Sequence, residues 1–506
     1  VAHDLPSDGT KLKTDARLAQ EQVDGHARHS HGSGLDARTE VVMFRTTRGT
    51  LIRATSALAG GMAIASCGGS DATMPAATPS KVPALAGAAP TSAPVPTAQA
   101  IAPTVSAPAA PTGPYPFKVT SATYFAAGER LEWTNKTAEE FAKAYGPKVT
   151  IDNLQVTGNF MESLISSIAA GTGPDVTRSS GAWFSDFADK GSLVDLGPYV
   201  KRDKIDMAQW YSQDEVLYRK GKQYGIPFWQ AHSTYLYNKS AFAKSGVKEP
   251  NDTWTWNDLL DAAQKLNKPG ETWGIQMNYI FEFAWLNFIR SSGEDYISAD
   301  RSKTTINSST NIEVMQWIVD LVQKYKIHPL PDDKTLGEGD IWVKGKVGIR
   351  LGGTGLVGST IFGKPDFEWD MFLTPAHPKT GKRAITANEN PSVVISQSKN
   401  PEASYLVAKF YGEKFAQDLL GKLRINSPSL KASASDPASW MATPPANMKV
   451  SVEQMKHAGS LSFHLNWLQW YNEITKALLP AFKSEISVKE ACDKAAQIGD
   501  GLLRGA

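Results

Sequence analysis

The chain has 506 residues, a formal charge of +2 and only two cysteines. The near-neutral balance offers no basic stripe for nucleic acid, and no apolar run approaches the roughly 20 residues a membrane span needs. A chain of this length also exceeds what one hydrophobic core organises, so more than one body is expected.

Residues 1–42 are polar and carry a His-x-x-His-x-His cluster (His26, His29, His31). This stretch reads as an untranslated or disordered leader, with Met43 as the true initiator. From Met43 the pattern changes. The basic section FRTTRGTLIR precedes the small, apolar run ALAGGMAIASC, which is the layout of a secretory signal peptide over 43–66. Ile64, Ala65, Ser66 and Cys67 resemble the bacterial lipobox, whose cysteine is acylated and becomes the new N-terminus. Each buried methylene adds about 0.8 kcal/mol to membrane binding, so two or three acyl chains anchor where one does not. The other reading of Cys67 is a free core cysteine. Thr47 to Arg53 is one residue short of a twin-arginine pattern, which leaves general secretion and twin-arginine export both open.

Residues 67–116 are almost all Ala, Pro, Thr, Ser, Val and Gly. Such a composition favours an extended tether. From Phe117 onward, aromatic residues and apolar periodicity mark the folded part. FKVTSATYF reads as a first strand. Met161, Leu164, Ile165 and Ile168 follow a helical stripe stopped by Gly171, and DVTR reads as the next strand. STYLYNKSAF alternates like a strand; TWND (Thr255 to Asp258) and TNIE (Thr310 to Glu313) read as capping boxes opening helices. VGIRLGG and PSVVIS are short strands, and Asn400 with Pro401 starts a further helix. Trp467 and Trp470, three apart, read mainly as core. Cys492 falls on a stripe with Val488, Ala491, Ala495 and Ile498 and reads as packing; with Cys67 acylated, no disulfide remains. Alternating strands and helices argue for an α/β fold.

Catalytic signatures are missing: there is no Gly-x-Ser-x-Gly elbow, no His-Glu-x-x-His helix, no Cys-x-x-Cys pair and no phosphate-binding loop. A glycosidase needs only two carboxylates assembled by the fold, and Glu282, Glu294, Asp295 and Glu389 are the candidates for such a pair. No cofactor or metal is expected.

Five segments then carry a family resemblance. LISSIAAGTGPDVTRSSGAWFSDFADKGSLVDLGPYV, YGIPFWQAHSTYLYNKSAFAKSGVKEPNDTWTWNDLLDAAQKL, IWVKGKVGIRLGGTG, SVVISQSKNPEASYLVAKFY and VKEACDKAAQIGDGLL occur in the order found in extracellular solute-binding proteins of ABC importers. The chain resembles their carbohydrate-binding group, which includes maltose-binding protein, from about Phe117 to the end. The resemblance implies a two-lobed periplasmic-binding-protein-like fold with the ligand in the cleft at the hinge. Lobe 1 would take residues 117–228 and 374–425, and lobe 2 residues 229–373 and 426–506, with crossings near Pro227 to Gln230 and Phe372 to Pro375. It also implies a monomeric receptor held outside the cytoplasm by lipidated Cys67, which captures a sugar or oligosaccharide and delivers it to an ABC permease. Alternatives are an anchored extracellular glycosidase, or a receptor for a polyamine, peptide or organic phosphate.

A sugar needs flat aromatic platforms and convergent donors and acceptors. On that basis Tyr124 and Phe125 are expected at the cleft mouth, Trp183 as the leading platform with core packing as its other reading, and Trp229 and Gln230 at the crossover. Phe281, Glu282 and Trp285 correspond to the family segment that brings an aromatic to the sugar. Gly353 and Thr354 lie where many relatives place a Trp, and Asn388 and Glu389 replace a glycine-rich approach. Arg178 or Arg424 would suit an anionic solute.

Overall fold

The computed structural model describes residues 116–504 except 124–126, 147, 155, 157–159, 212–215, 278–280, 331, 338 and 461–466, and describes no side chain at 181, 182, 281, 282 or 468. All described residues belong to the unit Gln99–Ala506. The expected leader, signal peptide and tether, Cys67, Tyr124, Phe125 and His464 lie outside the described residues.

Twelve strands are described: β1 Phe117–Ala122, β2 Val149–Asn153, β3 Val176–Arg178, β4 Tyr218–Arg219, β5 Lys222–Gln223, β6 Gly225–Asn238, β7 Trp273–Met277, β8 Val347–Gly353, β9 Trp369–Met371, β10 Ile385–Val394, β11 Ser427–Pro428 and β12 Ala458–Gly459. The main path runs β2-β1-β3-β10-β6-β8-β7, with β9 and β11 also on β6, β12 on β10, and β4-β5 a separate hairpin. β1 pairs in parallel with β2 and β3, and β7 with β8. Parallel neighbours need long crossovers. Helices Gly128–Tyr145 and Phe160–Ala169 fill two of them.

The architecture turns on β6. Its first part pairs with β10 from Gly225 to His232, and its second pairs with β8 and β9 from Ser233 to Asn238. One strand is thus the last of the first lobe's sheet and the first of the second lobe's. Because side chains alternate across a strand, β6 feeds several cores. Ile226 and Phe228 join Val119, Trp133, Val176 and Tyr411, and Leu236 joins Trp342, Met371 and Trp440. From the opposite face, Tyr235 and Tyr237 join Trp254, Trp285 and Phe372. The expected crossing at Pro227 to Gln230 lies within β6. The strand that returns is β10, whose pairing with β6 starts at Ala387, whereas Phe372 stays in the second lobe and donates its N–H to the carbonyl of Tyr235.

Local signals held at several ends. The Asp258 carboxylate reaches back to the Thr255 N–H at 2.8 Å, and Asn400 caps helix Pro401–Gly412 through the Ala403 N–H at 3.1 Å. TNIE does not open its helix. Ser308 caps instead, accepting from the Asn311 N–H, because its hydroxyl comes first in the chain. STYLYNKSAF is strand only to Asn238, whose side chain accepts from the Ala241 N–H and starts helix Lys239–Lys244. Ile165 and Ile498, expected on buried stripes, are 47% and 38% exposed, so each lies at the rim of its helix's contact. Trp467 and Trp470 are buried and stacked at 5.2 Å, as expected of core. Cys492 is fully buried, which pushes its thiol up to about 12. No helix among the described residues is long and apolar enough to cross a membrane.

Gly274 lets helix Trp256–Leu266 lie directly on β7: a Cβ there would come 1.9 Å from the Ala263 carbonyl oxygen. Gly274→Ala is expected to cost about 1–3 kcal/mol by overpacking, read as a lower urea midpoint with an unchanged slope.

Candidate functional site

In open α/β sheets, crevices form beyond the carboxyl ends of parallel strands, where the strand order reverses. In the first lobe those ends are Ala122 of β1 and Arg178 of β3; in the second they are Met277 of β7 and Gly353 of β8. The two sets meet across the middle of β6 and β10.

The alternation of β6 and β10 defines the floor. Residues paired directly across strands share a face, so Trp229, Ala231, Asn388 and Asn390 lie together, since Asn388 pairs with Ala231 and Asn390 with Trp229. On the first-lobe side this face is covered by Arg178, which donates to Asn390 Oδ1 at 3.2 Å. Its guanidinium lies over the Phe160 and Trp229 rings, 5.1 and 5.4 Å from their centroids. On the second-lobe side it is covered by helix Leu286–Ser292. There Asn287 accepts from Ser233 Oγ at 3.0 Å and from the Thr386 N–H at 2.8 Å, and donates to the Phe283 carbonyl at 3.2 Å. Between the two covers, Ala231 is half-buried and Asn388 is 8% exposed. Asn388 Oδ1 is buried and makes no hydrogen bond among the described residues. A buried polar atom left in that state costs about 1–3 kcal/mol unless something bonds it.

A separate depression of about 540 Å³, lined by none of these floor residues, lies between elements of the two lobes. It is lined by the first turn of helix Gly128–Tyr145 (Gly128, Glu129, Arg130), by Gly355, Gly358, Ser359 and Phe362 of helix Gly355–Gly363, and by Arg424 and Ile425. Neither helix has a side-chain cap. Ala127 has no polar atom to offer, and Thr354 turns its hydroxyl to the His232 N–H and to Asn426. Neither helix start therefore has its first-turn N–H groups taken by the side chain at the cap position. Phe362, 44% exposed, gives this wall an accessible ring. Away from the strands, helix Trp467–Phe482 comes against helix Gly181–Asp189, so the lobes meet there too.

The residues singled out from sequence fall into groups. Trp183 is buried against Phe187 at 4.7 Å in a cluster with Phe160 and Phe184, and Trp229 is buried beneath Arg178. Trp285 is fully buried and stacked on Phe482 at 5.2 Å, so it packs in the second lobe's core rather than presenting a ring to a cleft. The π-helical turn Phe281–Trp285 turns it inward. The side chains of Phe281 and Glu282 lie outside the described residues. Gly353 faces the Phe283 ring, 3.5 Å from a Cβ placed there, and Thr354 is fully buried in the hinge.

Gln230 and Glu389 are fully buried on the face opposite Asn388, where they bond to one another at 2.7 Å. Glu389 therefore offers no carboxylate to the crevice floor, because β10's alternation turns it away. Arg424 spends its guanidinium on the carbonyls of Trp440 and Ala442, and its burial lowers its pKa. Ala231, Glu129 and Phe362 escaped the sequence reading, which took in Asn390 only as part of the amide-bearing stretch TANEN, Thr386 to Asn390. Alternation within TANEN marks 388 and 390 as one face, but not which face is open.

The family of bacterial extracellular solute-binding proteins matches residues 127–420, and the chain belongs to it. The family is one of binding proteins, not enzymes. Among curated relatives, the arabinooligosaccharide-binding protein of Bacillus subtilis is 28% identical over 48% of this chain and 57% of its own length. The diacetylchitobiose-binding protein DasA of Streptomyces coelicolor is 23% identical over 50% of this chain and 59% of its own. An ABC substrate-binding protein of Listeria monocytogenes, solved in complex with cycloalternan, superposes with a TM-score of 0.69 at 23% identity, covering 76% of this chain and 98% of that one. The shared fold is the mixed α/β periplasmic-binding-protein fold.

Asn287 and Phe362 should separate structure from surface. Asn287→Ala leaves the Thr386 N–H and the Ser233 hydroxyl only the longer bonds between those two residues, at 3.2 and 3.3 Å, and is expected to cost about 0.5–1.5 kcal/mol. Phe362→Ala should stay within about 0.5 kcal/mol of wild type. Denaturant melts of the two variants check both values.

Proposed function

We propose that the chain is a lipid-anchored receptor that takes a sugar or oligosaccharide over Ala231 and Asn388, closes its lobes on it, and passes it intact to an ABC permease. The observation that carries this reading is the Asn388 oxygen on the shared floor between the lobes, which has no hydrogen-bond partner among the described residues. A hydroxyl of the solute would satisfy it. On the same face lie the Asn390 amide and the Arg178 guanidinium, and the separate depression adds the exposed ring of Phe362. Rings stack on the C–H faces of a sugar, and the polar groups fix its rim.

Three relatives support the solute class. One is named for arabinooligosaccharides, one for diacetylchitobiose, and one was solved with cycloalternan. The anchor rests on the lipobox-like run ending at Cys67 and the Pro-rich stretch after it. Delivery then works by population shift. Solute that touches both lobes favours the closed form, and the permease distinguishes closed from open.

The test is a thermal-shift screen against mono-, di- and oligosaccharides, with the added sugar recovered and its size checked. A bound sugar at one hundred times its Kd stabilises by about 2.7 kcal/mol; the sugar should come back uncleaved. Asn388→Ala should weaken binding of the hit about tenfold, and a hit whose affinity ignores this change would overturn the placement. In cells, the protein should sediment with membranes and Cys67→Ala should release it; a wild-type protein that is already soluble removes the anchor.

A further inference from the structure

The face of the hinge turned away from the crevice carries a polar cluster that solute capture does not use. Three chain segments pass between the lobes side by side at one level: Glu389 of β10 pairs with Gln230 of β6, and Gln230 pairs with Ser427 of β11. The Glu389 carboxyl touches all of them. It accepts from the Phe228 N–H at 2.8 Å and from Gln230 Nε2 at 2.7 Å, and each of its oxygens lies 2.7 Å from Ser429 Oγ, just past β11. Gln417, from helix Lys414–Lys422, braces the same point. It donates to the carbonyls of Phe228 and Tyr411 and accepts from the Leu430 N–H.

We infer that Glu389 is the positioning residue of lobe closure, tying the three interlobe crossings at one level so that they turn as a unit. The inference rests on reading the protein as a receptor that closes. Three strands joined only by backbone ladders can shear against one another; a side chain bonded to all three removes that freedom. Hinges are few-residue sites that absorb backbone rotation, and here one buried group sets where the rotation is shared.

Among the described residues, the groups that face Glu389 are neutral. From β6 come the Phe228 N–H and Gln230; from β10, the Asn390 N–H; and from the segment after β11, Ser429. His232, two residues along the same face of β6, is fully buried, which drives its pKa down to about 4 and keeps it uncharged. No cation among the described residues offsets the burial, which pushes the carboxyl up to about 8. As the neutral acid it donates to Ser429 Oγ and still accepts from Phe228 and Gln230. Once ionised, it is a buried charge held by neutral donors alone.

The sign of the pH dependence follows. The unfolded chain loses this proton near pH 4.3, while the folded chain keeps it to about 8. The folded state therefore binds more protons across that window. The group's contribution is whole below about 4.3, declines as pH rises toward 8, and is level above it.

The experiment is hydrogen–deuterium exchange and thermal unfolding of the full chain without sugar, from pH 5.5 to 9, with exchange corrected for its intrinsic pH dependence. In wild type, peptides over 225–232, 385–394 and 426–430 should lose protection together as pH rises from 5.5 toward 8 and level off above it, and the melting temperature should fall over the same range. Glu389→Gln should remove that pH dependence. Its new amide can donate to Gln230 Oε1, which has no partner now. Ser429→Ala, a second variant should Glu389→Gln fail to fold, should make the 426–430 peptide exchange ahead of the other two. Parallel pH profiles in wild type and Glu389→Gln, or three peptides that open independently in wild type, would overturn the inference. Since no sugar is present, a failed sugar screen leaves this result standing, and a failed hinge result leaves the sugar site standing.

Discussion

The structure depends on one strand that is buried for nearly all of its fourteen residues and belongs to two sheets. A strand buried on both faces is normally apolar from end to end. β6 is apolar at Ile226 and Phe228 and again from Tyr235 to Tyr237, yet Gln230, His232, Ser233 and Thr234 lie between them, all fully buried. Buried polar groups must be paired, and the pairing fixes the hinge. Gln230 is held by Glu389 and the Tyr211 carbonyl, and His232 lies against Ser451 and Gln454, each at 3.1 Å. Ser233 is held by Asn287. A slip of one residue between β6 and β10 would turn Glu389 into the crevice and Asn388 into the packed helices behind. Register is therefore as much a functional feature here as any side chain.

That register divides labour between the two faces of the same short stretch of β10. Asn388 and Asn390 face the gap between the lobes, while Glu389, between them, faces Ser429. The open face keeps an acceptor, Asn388 Oδ1, with no partner among the described residues; on the closed face both oxygens of the Glu389 carboxyl are bonded. Gly358 keeps the second lobe's helix against this hinge, since a Cβ there would lie 2.2 Å from the Arg424 carbonyl. Arg424 in turn sits at positive φ with its guanidinium on the carbonyls of Trp440 and Ala442. The wall of the depression and the hinge are thus built from the same contacts.

Much of the fold was legible because its signals are local. Asn400 before Pro401 and Asp258 three residues after Thr255 act within one turn, and Leu164 and Ala491 follow helical stripes that need no partner to be seen. The site was less legible because it depends on which face of a strand is left uncovered. Glu389 and Asn388 look alike as neighbours in TANEN, and only the helices packed behind β10 tell them apart. Trp285 misled for a related reason. A π-helical turn shifts the phase of its side chains relative to an α-helix, so spacing alone could not show that Trp285 turns in toward Phe482. Gly128 and Phe362 gave no signal at all, since a helix start and an exposed ring acquire meaning only when the opposite lobe comes near.

The two kinds of contact in the proposed receptor do different work. A hydrogen bond to Asn388 is made on a strand that both lobes share, so it is available whether the lobes are apart or together. Such a bond raises affinity for both forms alike and moves no equilibrium, since a ligand shifts two states only by its differential affinity. Closure must come from groups carried by one lobe that reach a solute already resting on the floor. Glu129 and Arg130 rise from the first lobe and Ser359 and Phe362 from the second. Each neutral hydrogen bond contributes only about 0.5–1.5 kcal/mol net, so a handful of wall contacts must overcome whatever holds the lobes open. A hinge whose three strands turn as one keeps that opposition small and uniform, because no part of the solute's binding free energy is lost to aligning the strands separately.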